Sequence, residues 1–193
     1  APGQAMEAMA PAFVIADAYN GDGTPVDIAP REILKKVLGL YAAKGWKPII
    51  APEVEFYLVS QNVDPDFPLV PPTGSSGRAE TASQPYGLEA MNEYEEIIDH
   101  IYDDCETMGL DIDTMIHEMG AAQLEVNFIH GDPLKLADQV FLFKRTVRAV
   151  AKQHGVYATF MANPMAGQPG SAMHIHQSVV DAETGKNLFA NAN

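Results

Sequence analysis

Two histidines at alternating positions of one short segment are the first residues in this sequence whose types and spacing could do chemistry. The segment reads Gly170-Ser171-Ala172-Met173-His174-Ile175-His176-Gln177-Ser178. In an extended strand, residues two apart point to the same face, so His174 and His176 share a face. Met173, Ile175 and Val179 then point the other way, towards a core. Such histidines are often structural, so the pair alone does not define a site.

Carboxylates alternate with apolar residues in a second segment, Pro52 to Leu58. Glu53 and Glu55 share one face of this strand, and the apolar residues between and after them form the other face. Two interpretations are open for the polar face. It is either simply wetted by solvent, as antiparallel sheets permit, or its carboxylates bind a ligand.

A third segment repeats this pattern, with Gln123, Glu125 and Asn127 alternating with apolar residues. Glu118 precedes them across a Gly-Ala-Ala step, where backbones can approach closely. Four glutamates and a histidine on one side of a sheet would repel or be poorly solvated unless cations neutralise them. Oxygen ligands with an occasional imidazole suit Mg²⁺ or Mn²⁺. We therefore predict a divalent-metal site.

Taken in order, the three segments resemble the catalytic domain of the glutamine synthetase family. They read Glu-x-Glu, then Glu-x6-Glu with a Gln two before the second Glu, then Gly-Ser-x-Met-His-x-His-x-Ser. The resemblance runs from about residue 25 to the C-terminus. The variants Gly-Ala-Ala-Gln-Leu-Glu and Gln-Pro-Gly-Ser-Ala-Met-His are most similar to members that join glutamate to larger amines, the γ-glutamylpolyamine (γ-glutamylputrescine) synthetases.

The resemblance implies an ATP-dependent ligase that joins glutamate to ammonia or a larger amine through γ-glutamyl phosphate. It also implies two or more Mg²⁺ or Mn²⁺ ions per site, with ATP as a substrate. By this resemblance Glu55, Glu118 and Glu125 would hold one ion near the glutamate. Glu53 and His174 would hold another near the ATP phosphates.

The same resemblance implies residues that contact the nucleotide and the glutamate. The implied ATP contacts are Asp113, Phe128, Ile129, His130, His176, Gln177 and Ser178. Pro169 and Gly170 would lie beside the glutamate. Pro169 stands where ammonia-using members have Asn, and it offers neither a side-chain amide nor an N–H. The mode of glutamate binding, and ammonia as the amine, therefore stay open.

The resemblance also sets an expected domain organisation. Residues 1–12 would be a mobile lead-in, and residues 13–193 part of a catalytic domain. The small N-terminal β-grasp domain of the family would be absent, as would the C-terminal part with a sixth metal carboxylate and the substrate-clamping arginines. No catalytic residue is assigned within the chain. The chain alone is expected to be inactive, and its parent to be a homo-oligomeric ring.

Composition bounds the class of protein. The chain has 193 residues, of which 47% are hydrophobic, which suits one globular domain. Its formal charge of −14 argues against nucleic-acid and anionic-membrane partners, since these call for basic patches. The single cysteine, Cys105, allows no internal disulfide and is expected to be buried and inert. Without a long apolar run or a signal pattern, the sequence predicts a cytoplasmic protein.

Hydrophobic periodicity predicts an α+β fold, with a curved, largely antiparallel sheet and helices packed on its outer face. Three helices are expected, the first from Pro30, the second over 89–108 and the third from Asp132-Pro133. About six strands are expected, including 13–17, 110–116, 156–160 and one beginning at 187–190. The long loop 61–87 lies either near an active-site mouth or on the surface as a plain excursion.

Two other functions are compatible with the sequence. One is a metal-dependent phosphotransferase or hydrolase with a convergent carboxylate face, which amine-stimulated phosphate release would separate from a ligase. The other is a non-catalytic glutamine synthetase homologue that serves as a ring subunit or regulatory module. The coding sequence beyond Asn193 would decide between that homologue and an enzyme.

Overall fold

One long strand organises the chain in the computed structural model, which describes residues 13–62 and 64–190. The predicted lead-in, 1–12, lies outside the described residues. The elements in chain order are α1 Pro30–Ala42, β1 Trp46–Ser60, α2 Leu88–Asn92, α3 Glu95–Thr107, β2 Ile112–His117, β3 Gln123–Phe128, α4 Pro133–Gln153, β4 Val156–Thr159 and β5 Met173–Asp181.

The long strand, β1, pairs with three others. On one side β3 pairs with residues 53–57 of β1, and β2 extends the sheet beyond β3. On the other side β5 pairs with residues 46–54 and β4 with residues 57–60. Every pairing is antiparallel, so the predicted antiparallel α+β fold is confirmed.

The apolar face of this sheet packs against α3 and α4. Val54, Phe56 and Leu58 of β1 are almost completely buried there, as the alternation predicts. Phe143 of α4 meets Phe56 edge to face, with ring centroids 6.2 Å apart. Because the helices cover this face, the opposite face of β1 and β3 carries the polar side chains.

The start of α4 has a recognisable cause. Asp132 caps α4, since its carboxylate accepts hydrogen bonds from Leu134 N and Lys135 N, both at 3.0 Å. Pro133 follows at the first helical position, where no backbone donor is needed. Cys105 of α3 lies fully buried, and burial raises the pKa of its thiol to about 12.

Two predicted strands are wrong, and the described residues form five strands where about six were expected. Residues 13–17 are irregular because Asp17 turns towards α1 and forms salt bridges with Arg31 and Lys35, so the segment joins no sheet. Residues 187–190 form one isolated bridge, Asn187 to Val180, and then a turn.

The predicted helix over 89–108 is interrupted. It ends at Asn92 and resumes at Glu95 because the long loop docks at this point. The Glu93 carbonyl accepts a hydrogen bond from Ser75 N at 3.0 Å, and the Glu93 carboxylate accepts one from Ser76 N at 2.9 Å. The Glu93 side chain therefore holds the loop against the helix break.

The core prediction for β5 holds for Val179 but is wrong for Met173 and Ile175, which are 47% and 55% exposed. These two side chains face an open apolar groove between β5 and α1, a helix with no buried residue. α1 does not close over the strand, so its apolar stripe lines the groove. Within the described ranges, no helix has both the length and the apolar content needed to cross a membrane.

Candidate metal centre

Strand register brings the predicted ligands together on the polar face. Glu53 of β1 lies opposite His174 of β5, and Glu55 of β1 lies opposite Glu125 of β3. Residues directly opposite each other on paired strands point to the same face, and so do Glu53 and Glu55, which are two apart on β1. All four side chains therefore project from one face of the sheet. A shift of one residue in either pairing would turn His174 or Glu125 to the opposite face.

The side chains of Glu53, Glu125 and His174 form the tightest group. One ligand atom from each lies within 4.8 Å of the others. His174 Nδ1 lies 3.3 Å from Glu53 Oε2 and 4.0 Å from Glu55 Oε1. His176 Nε2 lies 2.8 Å from the other Glu53 oxygen, so the carboxylate of Glu53 sits between two imidazoles.

The orientation of Glu55 is set by a buried amide. Glu55 Oε2 accepts hydrogen bonds from Gln123 Nε2 and from Ala172 N, both at 2.9 Å. Gln123 is 1% exposed, and its Nε2 also donates to Gly170 O at 3.1 Å. This amide therefore links the Glu55 carboxylate to the turn that precedes β5.

Tyr57 extends the polar face of β1 and fixes the other end of the same amide. Its hydroxyl lies 2.7 Å from Pro169 O and 3.0 Å from Gln123 Oε1, and it donates its one proton to either acceptor. A Cβ on Gly120 would lie 2.0 Å from this hydroxyl, so only glycine fits there. The close backbone approach expected at the Gly-Ala-Ala step is thus an approach of Gly120 to Tyr57.

Glu118 lies on the turn between β2 and β3. Its carboxylate accepts a hydrogen bond from Met119 N at 3.0 Å. Burial raises the pKa of the Glu125 carboxyl, and the negative charges of Glu53, Glu118 and Glu55 raise it further. The other three glutamates are therefore close enough to oppose the ionisation of Glu125.

The donor set fits a hard divalent cation. Two ligands of one ion lie no more than about twice the bond length apart, about 4.2 Å for Mg²⁺, so donors within 4.8 Å need only small rotations to share an ion. The donors are carboxylate oxygens and one imidazole nitrogen, the types that suit Mg²⁺ or Mn²⁺. In residues 13–62 and 64–190, no Lys or Arg nitrogen lies within 4.0 Å of these carboxylates.

The residues assigned to ATP by resemblance occupy two places. Asp113, Ile129 and His130 are exposed at one end of the β2–β3 pair, whereas the Phe128 side chain is buried in the core. His176 faces the cluster through its contact with Glu53.

Two of the β5 positions differ in direction. The Gln177 side chain points the other way from His176, and its Nε2 donates to the Tyr41 hydroxyl of α1 at 3.0 Å. The Ser178 hydroxyl oxygen is shielded from solvent and has no hydrogen-bond partner among the described residues. Gln177 therefore has a partner in α1, whereas the Ser178 hydroxyl has none among the described residues.

Sequence reasoning missed a buried pair behind the turn, Glu80 and His117. His117 Nε2 lies 3.0 Å from both Glu80 carboxylate oxygens. Burial alone would lower the pKa of His117, but the hydrogen bond and the charge of Glu80 raise it above its ordinary value. Tyr57 was missed as well, although its parity with Glu53 and Glu55 was a visible signal.

Comparisons with known proteins show the family of the chain. The family model described as "Glutamine synthetase, catalytic domain" matches residues 27–193. A glutamine synthetase of Pyrococcus abyssi is 36% identical over 168 residues, which cover 87% of this chain and 36% of that protein. The gamma-glutamylputrescine synthetase PuuA of Escherichia coli is 33% identical over 174 residues, covering 89% and 36% of the two chains.

A solved structure described as "Apo GmaS without ligand" superposes with a TM-score of 0.75 at 31% identity, covering 89% of this chain and 39% of that one. The chain thus belongs to the glutamine synthetase catalytic domain family. It spans little more than a third of the length of these relatives.

Proposed function

We propose that the chain is the metal-binding part of an ATP-dependent ligase that forms a γ-glutamyl amide from glutamate and an amine. The observation that carries the proposal is the convergence of Glu53, Glu125 and His174 within 4.8 Å, with Glu55 beside them. The family relationship supports the type of reaction, and the absence of neighbouring Lys or Arg in the described residues favours bound cations as the neutralising charge.

Our proposal gives each group of residues a task. Glu53, Glu55, Glu118, Glu125 and His174 would hold two or more Mg²⁺ or Mn²⁺ ions. Such ions supply charge stabilisation when the glutamate carboxylate takes the γ-phosphoryl group of ATP. Gln123 would keep Glu55 aimed into the site, and His176 would share Glu53 with His174 and reach the nucleotide. Displacement of phosphate from γ-glutamyl phosphate by the amine then completes the reaction.

The turn before β5 bears on the glutamate and on the choice of amine. The carbonyls of Pro169 and Gly170 accept hydrogen bonds from Tyr57 and Gln123, which hold this turn beside the site. We propose that glutamate lies beside the turn; because Pro169 has no side-chain amide and no N–H, the amine stays open between ammonia and a larger amine. We further propose that the chain is part of a longer protein that forms a homo-oligomeric ring.

A thermal melt of the 193-residue chain tests the metal site. We expect the melting temperature to be higher in Mg²⁺ or in Mn²⁺ than in EDTA. The stabilisation should reach about 2.7 kcal/mol at a hundredfold excess over the dissociation constant. Glu53→Gln and Glu125→Gln should each abolish most of this rise, because each removes an anionic ligand.

Asp99→Asn is the matched control, since Asp99 is an exposed acid on α3. It removes the same charge on the other side of the sheet and should keep the full response to metal. A metal concentration of about 10 mM lies well above a millimolar dissociation constant. If Mg²⁺ or Mn²⁺ at this concentration leaves the melting temperature of the parent chain unchanged, the acidic face binds no ion.

A further inference from the structure

Glu80 and His117 form an ion pair that lies behind the acidic cluster, the group formed by Glu53, Glu55, Glu125 and His174. Glu80 belongs to the long loop between β1 and α2, and His117 is the last residue of β2. Their side chains are 4% and 0% exposed. Removing two such groups from water is costly, so each needs hydrogen-bond partners within the fold.

The pair grips both ends of one turn. His117 Nδ1 lies 2.8 Å from Glu118 O, at the start of the turn. Glu80 Oε2 accepts a hydrogen bond from Ala122 N at 2.7 Å, at its end. Ala122 has φ 57°, a left-handed conformation that a non-glycine residue adopts only when its surroundings hold it there. The Ala122 carbonyl is already bound by Leu58 N at 2.9 Å.

The turn held in this way carries Glu118. Among the described residues, the Glu118 carboxylate accepts a hydrogen bond only from its neighbour Met119, so its own contacts do not aim it at the cluster. The charges of Glu53, Glu55 and Glu125 tend to push it outwards. The position of Glu118 therefore depends on the backbone of residues 118–122.

We propose that Glu80 and His117 are positioning residues that set the Glu118 carboxylate towards the metal ions while touching no ligand themselves. The inference rests on the proposed function, since it assigns a task within that site. It also gives the long loop a role, because Glu80 ties that loop to the turn and Tyr86 N donates to His117 O at 2.9 Å.

Mn²⁺ binding by the 193-residue chain, followed by the EPR signal of free Mn²⁺, tests the proposal. Glu80→Ala should raise the Mn²⁺ dissociation constant by about 10- to 100-fold, as loss of groups that orient metal ligands typically does. Glu80→Gln keeps an acceptor for Ala122 N and should restore affinity to within about threefold of the parent.

A double variant separates positioning from stability. Glu80→Met combined with His117→Phe replaces the buried pair by apolar side chains, a change that often leaves stability intact. We expect this variant to stay folded in EDTA, with a lower melting temperature because Ala122 N loses its acceptor, and to bind Mn²⁺ at least about tenfold more weakly. A folded double variant with unchanged affinity would overturn the proposal.

Coupling to Glu118 gives the sharpest outcome. If Glu80 acts through Glu118, then Glu80→Ala should not weaken Mn²⁺ binding further in a chain that already carries Glu118→Gln. In a chain that carries Glu125→Gln, it should weaken Mn²⁺ binding by the same factor as in the parent. Additive losses with Glu118→Gln would refute the inference.

A metal-free crystal structure of Glu80→Ala, or of the Met/Phe double variant, decides the same question without Mn²⁺. In that structure the Glu118 carboxylate should move away from Glu53, Glu55 and Glu125. A Glu118 carboxylate that keeps its place would refute the positioning role. If the parent chain binds no Mn²⁺, the proposed function fails, and this structural result still judges the role of Glu80 and His117.

Discussion

The carboxylate of Glu125 bears much of the electrostatic cost of the acidic cluster. It is 7% exposed, and burial together with three neighbouring glutamates raises its pKa. A carboxyl group with a raised pKa binds its proton more tightly in the folded chain than in the unfolded chain. Ionisation of Glu125 therefore costs stability, and a bound cation would remove that cost.

This cost predicts the pH dependence of the metal-free chain. In EDTA, the free energy of unfolding should fall as pH rises above 4.5, the ordinary value for Glu, and through the higher folded pKa of Glu125. Glu125→Gln should flatten this decline and melt higher than the parent near about pH 7. Melting curves from about pH 4 to about pH 8 measure both effects.

Lys35 and Lys135 lower the pKa values of Asp17 and Asp111, respectively. These two carboxyl groups therefore affect stability at a more acidic pH than Glu125 does. Their stabilising contribution is present above 3.8 and is lost only as pH falls below it, so it does not mask the effect of Glu125. Parallel curves for Glu125→Gln and the parent would show that the cluster costs no stability.

At the scale of elements, α4 supports the sheet face opposite the site, and its start depends on one cap. Asp132→Ala removes the acceptor for Leu134 N and Lys135 N, so we expect it to lower the free energy of unfolding by about 1 kcal/mol. Urea denaturation followed by circular dichroism measures this difference.

Asp103→Ala is the control for the cap, because Asp103 is exposed within α3 and bonds no helix terminus. Alanine favours helix, so this control should be neutral or slightly stabilising. Equal destabilisation by both substitutions would mean that loss of the cap is not the cause.

Local alternation was sufficient to predict which side chains share a face of each strand. Glu53 with Glu55, and Gln123 with Glu125, needed only the period of two, and the cap at Asp132 needed only local helix chemistry. The pairing of β1 with three partners was not readable, because register depends on contacts between distant segments.

Distant contacts also explain what was missed or mistaken. Glu80 meets His117 across 37 residues and Ala122 across 42, so no local pattern marks it. The break in the second helix likewise depends on the loop that docks at Glu93. A buried histidine directly before Glu118, in a strand of known parity, was the one local signal that this pair left.

At the scale of the whole molecule, charge is distributed unevenly across the sheet. The polar face holds the four glutamates, whereas five of the chain's twelve Lys and Arg residues lie on α4, which packs on the other face. Lys144 and Arg148 lie over the ring of Phe160, each 4.9 Å from its centroid. These cations cannot reach a phosphate that is bound at the acidic cluster.

This distribution predicts that the 193-residue chain alone has no measurable ligase activity, even with Mg²⁺ or Mn²⁺. Phosphoryl transfer requires positive charge around the transferring group, and no Lys or Arg nitrogen of the described residues lies within 4.0 Å of the carboxylates of Glu53, Glu55 and Glu125. The relatives extend well beyond the matched region, since the chain covers 36% of their length.

Release of phosphate from ATP, measured with glutamate and a panel of amines, tests this expectation. An amine-dependent rate of about 1 s⁻¹, ordinary for an enzyme, that Glu53→Gln abolishes and Asp99→Asn leaves intact would contradict it. The residues of this chain would then suffice for the reaction, and the groups that clamp phosphate and glutamate would have to be sought within it.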